Sequence, residues 1–343
     1  MKIIIVLFLV VSSSVSFSQT ILHNSIEEYM NSIRDGGPLP DGIPPIENPI
    51  YVSLSEFQLD LNDEDPVFLV ETENDVFAYP QKIMVWHEIV NDNLFGKNVS
   101  LTYCPLTGSA IGYFSNSETD SFGTSGKLVN SNLIMYDRQS KSYWPQILGS
   151  AISGEKTGET LSTFPVIWTT WERLKEVYPD AKILSLNTGF SRSYGYDPYG
   201  DYSFDTSYYR YGEPKFPVMN RSELFNQKDI VIGIKSNGKA FNILKETVRE
   251  KKIINTFLDN IPVIIFYDEK LDTVRIYERY FDNTVLIFEL IDGKVIDRIN
   301  NIEINNKGEI LSQNYEDKLT WVDSFDVMWF AWYAYLPETE IIY

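Results

Sequence analysis

The sequence predicts an α+β protein of two similar, pseudo-symmetric halves, and three observations carry that prediction. The composition is globular, with 43% hydrophobic and 22% charged residues, which excludes disorder and fibrous repeats. Short apolar runs bounded by polar turns read as strands interleaved with a few helices. The chain also matches itself. An offset of 164 residues lays Val67 to Tyr113 on Val231 to Tyr277 without a gap, with identities that include Val67/Val231, Phe77/Phe241, Asn91/Asn255, Val99/Val263 and Tyr103/Tyr267.

Taken in order, the elements begin with an export signal. Lys2 precedes an unbroken apolar run from Ile3 to Val11, and small residues follow at Ser16 and Ser18, so cleavage is expected after Ser18 and the product in the periplasm or medium. The expected divisions are a signal peptide over 1–18, an N-terminal extension over 19–60, a first repeat over 61–186, a tyrosine-rich connection over 187–228 and a diverged second repeat over 229–343. Within the first repeat, Val67 to Glu71 reads as a strand, Glu73-Asn74-Asp75 as a turn, and Gln81 to Asn93 as a helix with Ile83, Trp86, Ile89 and Val90 on one side. A hairpin follows, from Val99 to Tyr103 and back through Ala110 to Phe114.

Each half is expected to close with a helix, aligned at an offset of 158 residues that sets Trp171 on Trp329. Thr169 with Glu172 suggests a capping box, and Pro179 and Pro337 end the two helices. The second, Met328 to Leu336, is apolar all round and reads as a buried interdomain helix. Between the repeats, Tyr194, Tyr196, Tyr199, Tyr202, Tyr208, Tyr209 and Tyr211 need surfaces to pack on, so the connection is expected to be ordered.

Charge narrows the partners. A net charge of −19 repels nucleic acid, and beyond the signal no apolar stretch reaches the roughly 18 to 20 residues of a membrane span. The one cysteine, Cys104, excludes an intramolecular disulfide. A small-molecule or metal ligand remains open.

Cys104 and His87 are the candidate reactive side chains, because a thiol and an imidazole suit nucleophilic and metal chemistry near neutral pH. In the second repeat these positions hold Asp268 and Lys251. Three readings stand side by side. One is a mononuclear copper or zinc site in which Cys104 and His87 are joined by Met135 or by a carboxylate from Glu88, Asp92 or Asp137. The second is a thiol hydrolase or acyl transferase with Cys104 as nucleophile, His87 as base and Asn91 as orienting group. The third is structural, with Cys104 and His87 buried in the core. The aromatic connection adds a non-catalytic glycan- or peptide-binding module. Gly123 to Leu128 has part of a phosphate-loop pattern, Asp197, Asp201 and Asp205 could offer oxygens to calcium, and Lys127, Asn130, Asp137 and Arg138 could line a pocket beside Cys104.

The stretches Trp86 to Asp92, Thr102 to Ser109, Ser125 to Asn132, Met135 to Arg138 and Ser142 to Trp144 resemble the exported bacterial and archaeal family labelled domain of unknown function 3179. The resemblance runs from about Asp41 to the C-terminus. It implies an exported, duplicated protein and no particular activity. The second copy departs from it around Ile302 to Asn314.

Overall fold

The computed structural model describes residues 21–115, 117, 120–311 and 317–343. The expected export signal over 1–18 lies outside them, as do residues 312–316, at the end of the expected diverged stretch. The architecture is mixed α+β, dominated by strands with a few short helices. No helix among the described residues is long and apolar enough to cross a membrane.

The first unit opens with an antiparallel hairpin of Pro66–Glu71 and Val76–Pro80. Val67 to Val70 are all fully buried, as an unbroken apolar run requires when both strand faces are covered. The helix expected over Gln81 to Asn93 is a single turn, Gln81–Met84. The chain then reverses, and Ile89–Leu94 is a strand paired with Lys97–Cys104, which pairs in turn with Ser109–Phe114. Ile89 and Val90 are β-branched and find cross-strand partners in Thr102 and Leu101. Their spacing from Ile83 and Trp86 mimicked a helical face, but tertiary pairing decided the matter.

The second unit has the same succession: Ile230–Ser236, Lys239–Leu244, helix Lys245–Lys251, then the meander Ile253–Leu258, Ile261–Asp268, Thr273–Glu278. In both units a later strand flanks the hairpin, Ile167–Thr170 in the first and Ser324–Met328 in the second, and leads into a closing helix, Trp171–Val177 or Trp329–Tyr335. A last short strand then pairs in parallel with the second hairpin strand. The cap of Trp171–Val177 is Thr170, whose hydroxyl accepts from Arg173, not Thr169. Thr169 is buried one residue upstream, in the strand that pairs with Pro66–Glu71.

The apolar closing helix is buried, as its composition demands. Tyr335 donates to the Val129 carbonyl (3.0 Å), and Asn130 donates to the Ala334 carbonyl (3.2 Å). The helix thereby braces the two-residue turn between Phe122–Val129 and Asn132–Asp137, where Asn130 and Ser131 both have positive φ (54° and 60°) as a type I′ hairpin needs. One core cluster accordingly holds Cys104, Trp144, Trp329 and Trp332 together. The N-terminal extension is laid across the first unit as a strap, Arg34–Asp35 pairing with Phe122–Val129 and Ile46–Glu47 with Ile89–Leu94.

Candidate binding pocket

Cys104 ends its strand, and Pro105, Leu106, Thr107 and Gly108 turn the chain back to Ser109, with Gly108 supplying the positive φ of 55°. A polar lattice holds this turn. Ser109 and Asn132 both donate to Gln146 Oε1 (2.8 Å each), Asn132 also donates to Thr107 Oγ1 (3.1 Å), and Gln146 Nε2 donates to Thr102 Oγ1 (3.0 Å). The Cys104 sulfur is 1% exposed and accepts from the Leu133 N–H at 3.4 Å. Burial pushes the thiol up to about 11, and the nearby Glu88 carboxyl adds to the effect. It is therefore a protonated thiol at neutral pH, the reverse of an activated nucleophile.

His87 lies in the turn after Met84 and is fully buried. Its Nδ1 lies 2.7 Å from the Pro44 carbonyl, which can only accept, so Nδ1 carries the proton and Nε2 accepts from the Tyr194 hydroxyl at 2.7 Å. Burial lowers its pKa. Both nitrogens are spent on tying the strap and the connection to the core, and neither is left to serve Cys104. Asn91 sits on a strand, not one helical turn beyond His87. It donates to the Phe122 carbonyl (2.8 Å) and accepts from the Phe122 N–H (3.2 Å), while Asn255 makes the same bridge to Phe288 (2.8 and 2.9 Å).

Met135 is fully buried in the main core. Asp137 accepts from Ser142 N (3.1 Å), Trp144 Nε1 (3.0 Å) and Ser140 Oγ (2.7 Å). Desolvation opposes its charge, but the Trp144 and Ser140 donors and Lys156 hold its pKa below the ordinary value. Asp92 accepts from Tyr51 (2.5 Å), and Arg138 pairs with Asp41 and Glu47 at the surface. Among the described residues no three or more His, Cys, Asp and Glu side chains gather as a metal would need. Of the carboxylates named beside Cys104, Glu88 is the one whose charge the thiol feels.

Glu88 carries the most unusual environment in the region. Its backbone has φ 59°, rare for a side chain with a Cβ, held by its N–H to the Met84 carbonyl and by the Tyr103 N–H to its own carbonyl (2.7 Å each). The second unit has the same backbone at Lys252 (φ 65°, bonds of 2.8 Å to Val248 and from Tyr267), with the opposite charge. The Glu88 side chain is 8% exposed, and among the described residues its carboxyl has no hydrogen-bond or ion-pair partner. Burial alone pushes it up to about 8.

Glu88 faces a cavity of ≈ 370 Å³, whose wall includes Ile43, Leu106, Leu128, Leu133, Phe216, Thr124, Tyr199, Lys127 and Lys215. The strap closes one side: Gly36 donates to the Gly126 carbonyl (2.9 Å), and Thr124 donates to the Ile43 carbonyl (2.7 Å). Gly126 is required there, since a Cβ would stand 1.9 Å from the Pro38 carbonyl oxygen. The connection supplies Tyr199 and Lys215, whose Nζ lies 4.7 Å from the Tyr199 ring centre.

Other expectations change. Gly123 to Leu128 lies within a strand, not a phosphate loop. Asp197, one of the three aspartates that could offer oxygens to calcium, is buried and accepts from Gln81 (2.8 Å) and Tyr209 (2.8 Å). Asn130 braces the closing helix, and of its expected polar cluster Lys127 alone reaches the pocket. Sequence reasoning missed Gln146, Tyr199 and Lys215 as parts of this region. Gln146 lies just past the Ser142 to Trp144 stretch, but nothing in the chain order signals that the connection folds back over Cys104.

No curated protein and no solved structure matches the chain. The model of a family described as protein of unknown function (DUF3179) matches residues 40–339, a span that runs from the strap through both units and contains every residue of the pocket except Gly36 and Pro38. The chain belongs to the DUF3179 family.

Proposed function

We propose that this chain is an exported, internally duplicated protein that binds a small ligand in the Glu88 pocket of its first unit. The carrying observation is Glu88 itself, a buried carboxyl held in a costly backbone conformation, without a partner among the described residues, at the wall of a mostly apolar cavity. An acid left without a partner at a pocket wall is retained where a ligand completes it, while the left-handed backbone, shared with Lys252, belongs to the scaffold of both units. The duplication reading is supported by the common order of elements, the matched Asn91 and Asn255 bridges and the shared backbone at Glu88 and Lys252. It fails if the two units do not superpose at these pairs in an experimental structure. Export with cleavage after Ser18 is tested by the N-terminal mass of the mature protein.

Ligand-detected NMR against a fragment set tests the pocket. Fragments should bind the wild type and lose binding in Leu128→Trp, which fills the cavity. Equal binding to both proteins would sink the reading.

A metal reading retains two donors, Cys104 and Glu88, both protonated near neutral pH, with the Glu88 charge adding to the cost of ionising Cys104. A copper or zinc ion would discharge that cost. Elemental analysis of protein purified without chelator, beside Cys104→Ser and Glu88→Gln, tests it. Metal content unchanged in both variants would end it.

A further inference from the structure

We infer that the ligand of the Glu88 pocket is a small organic carboxylate with an apolar body, its anionic head held by Lys127 and Lys215. The inference rests on the reading of that pocket as the binding site. The chain as a whole carries a net charge of −19, yet the cavity reverses the sign locally. Its ionisable lining is Lys127, Lys215, Glu88 and Tyr199, and among the described residues neither lysine makes an ion pair. Two ammonium groups without ion pairs, Lys127 half-buried and Lys215 exposed, on the wall of the same pocket as an acid that burial keeps neutral, leave its lining net cationic, which an ammonium ligand would enter only against repulsion. Lys215 is pre-positioned over the Tyr199 ring, and such a contact leaves its N–H donors available.

The rest of the wall fixes the body of the ligand. Leu106, Leu128, Leu133, Ile43 and Phe216 offer apolar surface, which a hydrated sugar or a free inorganic anion would leave poorly matched. Protonated Glu88 and the Tyr199 hydroxyl add two further donors to the wall of the same pocket. The charged and titratable groups around Glu88 are Lys127, Lys215, Tyr199 and Cys104, and of these the lysines alone are charged near neutral pH. Ionisation of Glu88 then places a negative charge beside a negative ligand, so binding weakens as pH rises through about 8.

Calorimetric titration of the mature protein with octanoate, octanol, octylamine and octyl phosphate at pH 6.5, repeated at pH 9, tests this. Octanoate should bind at least tenfold more tightly than octanol, octylamine should not bind, and affinity for octanoate should fall at pH 9. Lys127→Gln should cost octanoate about tenfold and octanol nothing, with Glu88→Gln removing the pH dependence. Octanol or octylamine matching octanoate would overturn the anionic class while leaving the pocket in place, and octyl phosphate exceeding octanoate tenfold would overturn the carboxylate. No binding by any of the four, with fragments binding wild type and Leu128→Trp equally, would remove the pocket reading itself.

Discussion

Glu88 and Cys104 show how one buried corner sets two protonation states. The Glu88 carboxyl is raised from 4.5 to about 8, so the folded chain holds that proton more tightly than the unfolded chain does. Its contribution to stability is full below pH 4.5 and is lost as pH rises from there towards 8. Glu88→Gln should therefore be more stable than wild type at pH 8, by on the order of a few kcal/mol, since each tenfold change in proton affinity is worth about 1.36 kcal/mol. The gap should close at pH 4.5. Urea unfolding at both pH values measures it, and parallel curves would contradict the assignment. His87 acts in the opposite sense. Its pKa is lowered from 6.5, so stability falls as pH drops below that value, and His87→Gln should flatten that acid-side loss. The Cys104 thiol, raised to about 11 and 1% exposed, should alkylate with iodoacetamide far more slowly than free cysteine at pH 7.5. Rapid modification in the folded protein would show that the thiol is neither buried nor protonated.

At the scale of elements, the strand Ile89–Leu94 was the hardest to read. Its residues keep helical spacing with the preceding turn, and no proline or glycine marks the break. The break is made by a glutamate in left-handed conformation, which sequence propensity does not suggest. The meander hairpins were legible because polar turns separate β-rich runs. The Asn91 and Asn255 bridges are elements of the same kind, each satisfying one backbone donor and one acceptor on a neighbouring segment. Asn91→Ala leaves buried polar groups unpaired and should cost about 1–3 kcal/mol. Asn255→Ala, at a less buried strand, should cost less, and chemical denaturation of the two variants compares them. Gly126→Ala drives a methyl into the Pro38 carbonyl, so the strap must lift from the pocket. Proteolysis near Pro38 to Gly42 should accelerate in that variant while the rest of the chain stays resistant.

Across the whole molecule, the two units are not independent in their packing. Trp329, Trp332 and Tyr335 come from the end of the chain, yet they share one core with Cys104, Trp144 and Met135 near its middle. Gly233 lets the closing helix seat on the strand Ile230–Ser236 of its own unit, since a Cβ there would meet the Trp332 ring at 2.3 Å. Large aromatic side chains contribute roughly 1.5–3 kcal/mol each when buried, so losing these three with the closing helix should remove most of the roughly 5–15 kcal/mol that a domain holds in reserve. A chain ending at residue 228 is expected to lose near-ultraviolet circular dichroism and to bind hydrophobic dye. A cooperatively folded fragment would show that the first unit stands alone.

The sequence by itself determined the apolar periodicities, the turns, the offset of 164 residues between matching segments and the unusual pair of His87 and Cys104. These are local or self-referential properties, written in spacing and composition. The tertiary structure alone decided what stands beside the thiol. His87 lies within the same segment as Glu88, but a left-handed backbone turns the glutamate towards Cys104 while both imidazole nitrogens bind Pro44 and Tyr194. Tyr199 and Lys215 reach the pocket from a connection about a hundred residues further along the chain. Which side chains meet depends on how distant segments fold back over one another, and that is set by the packing of the whole core rather than by any pattern along the chain.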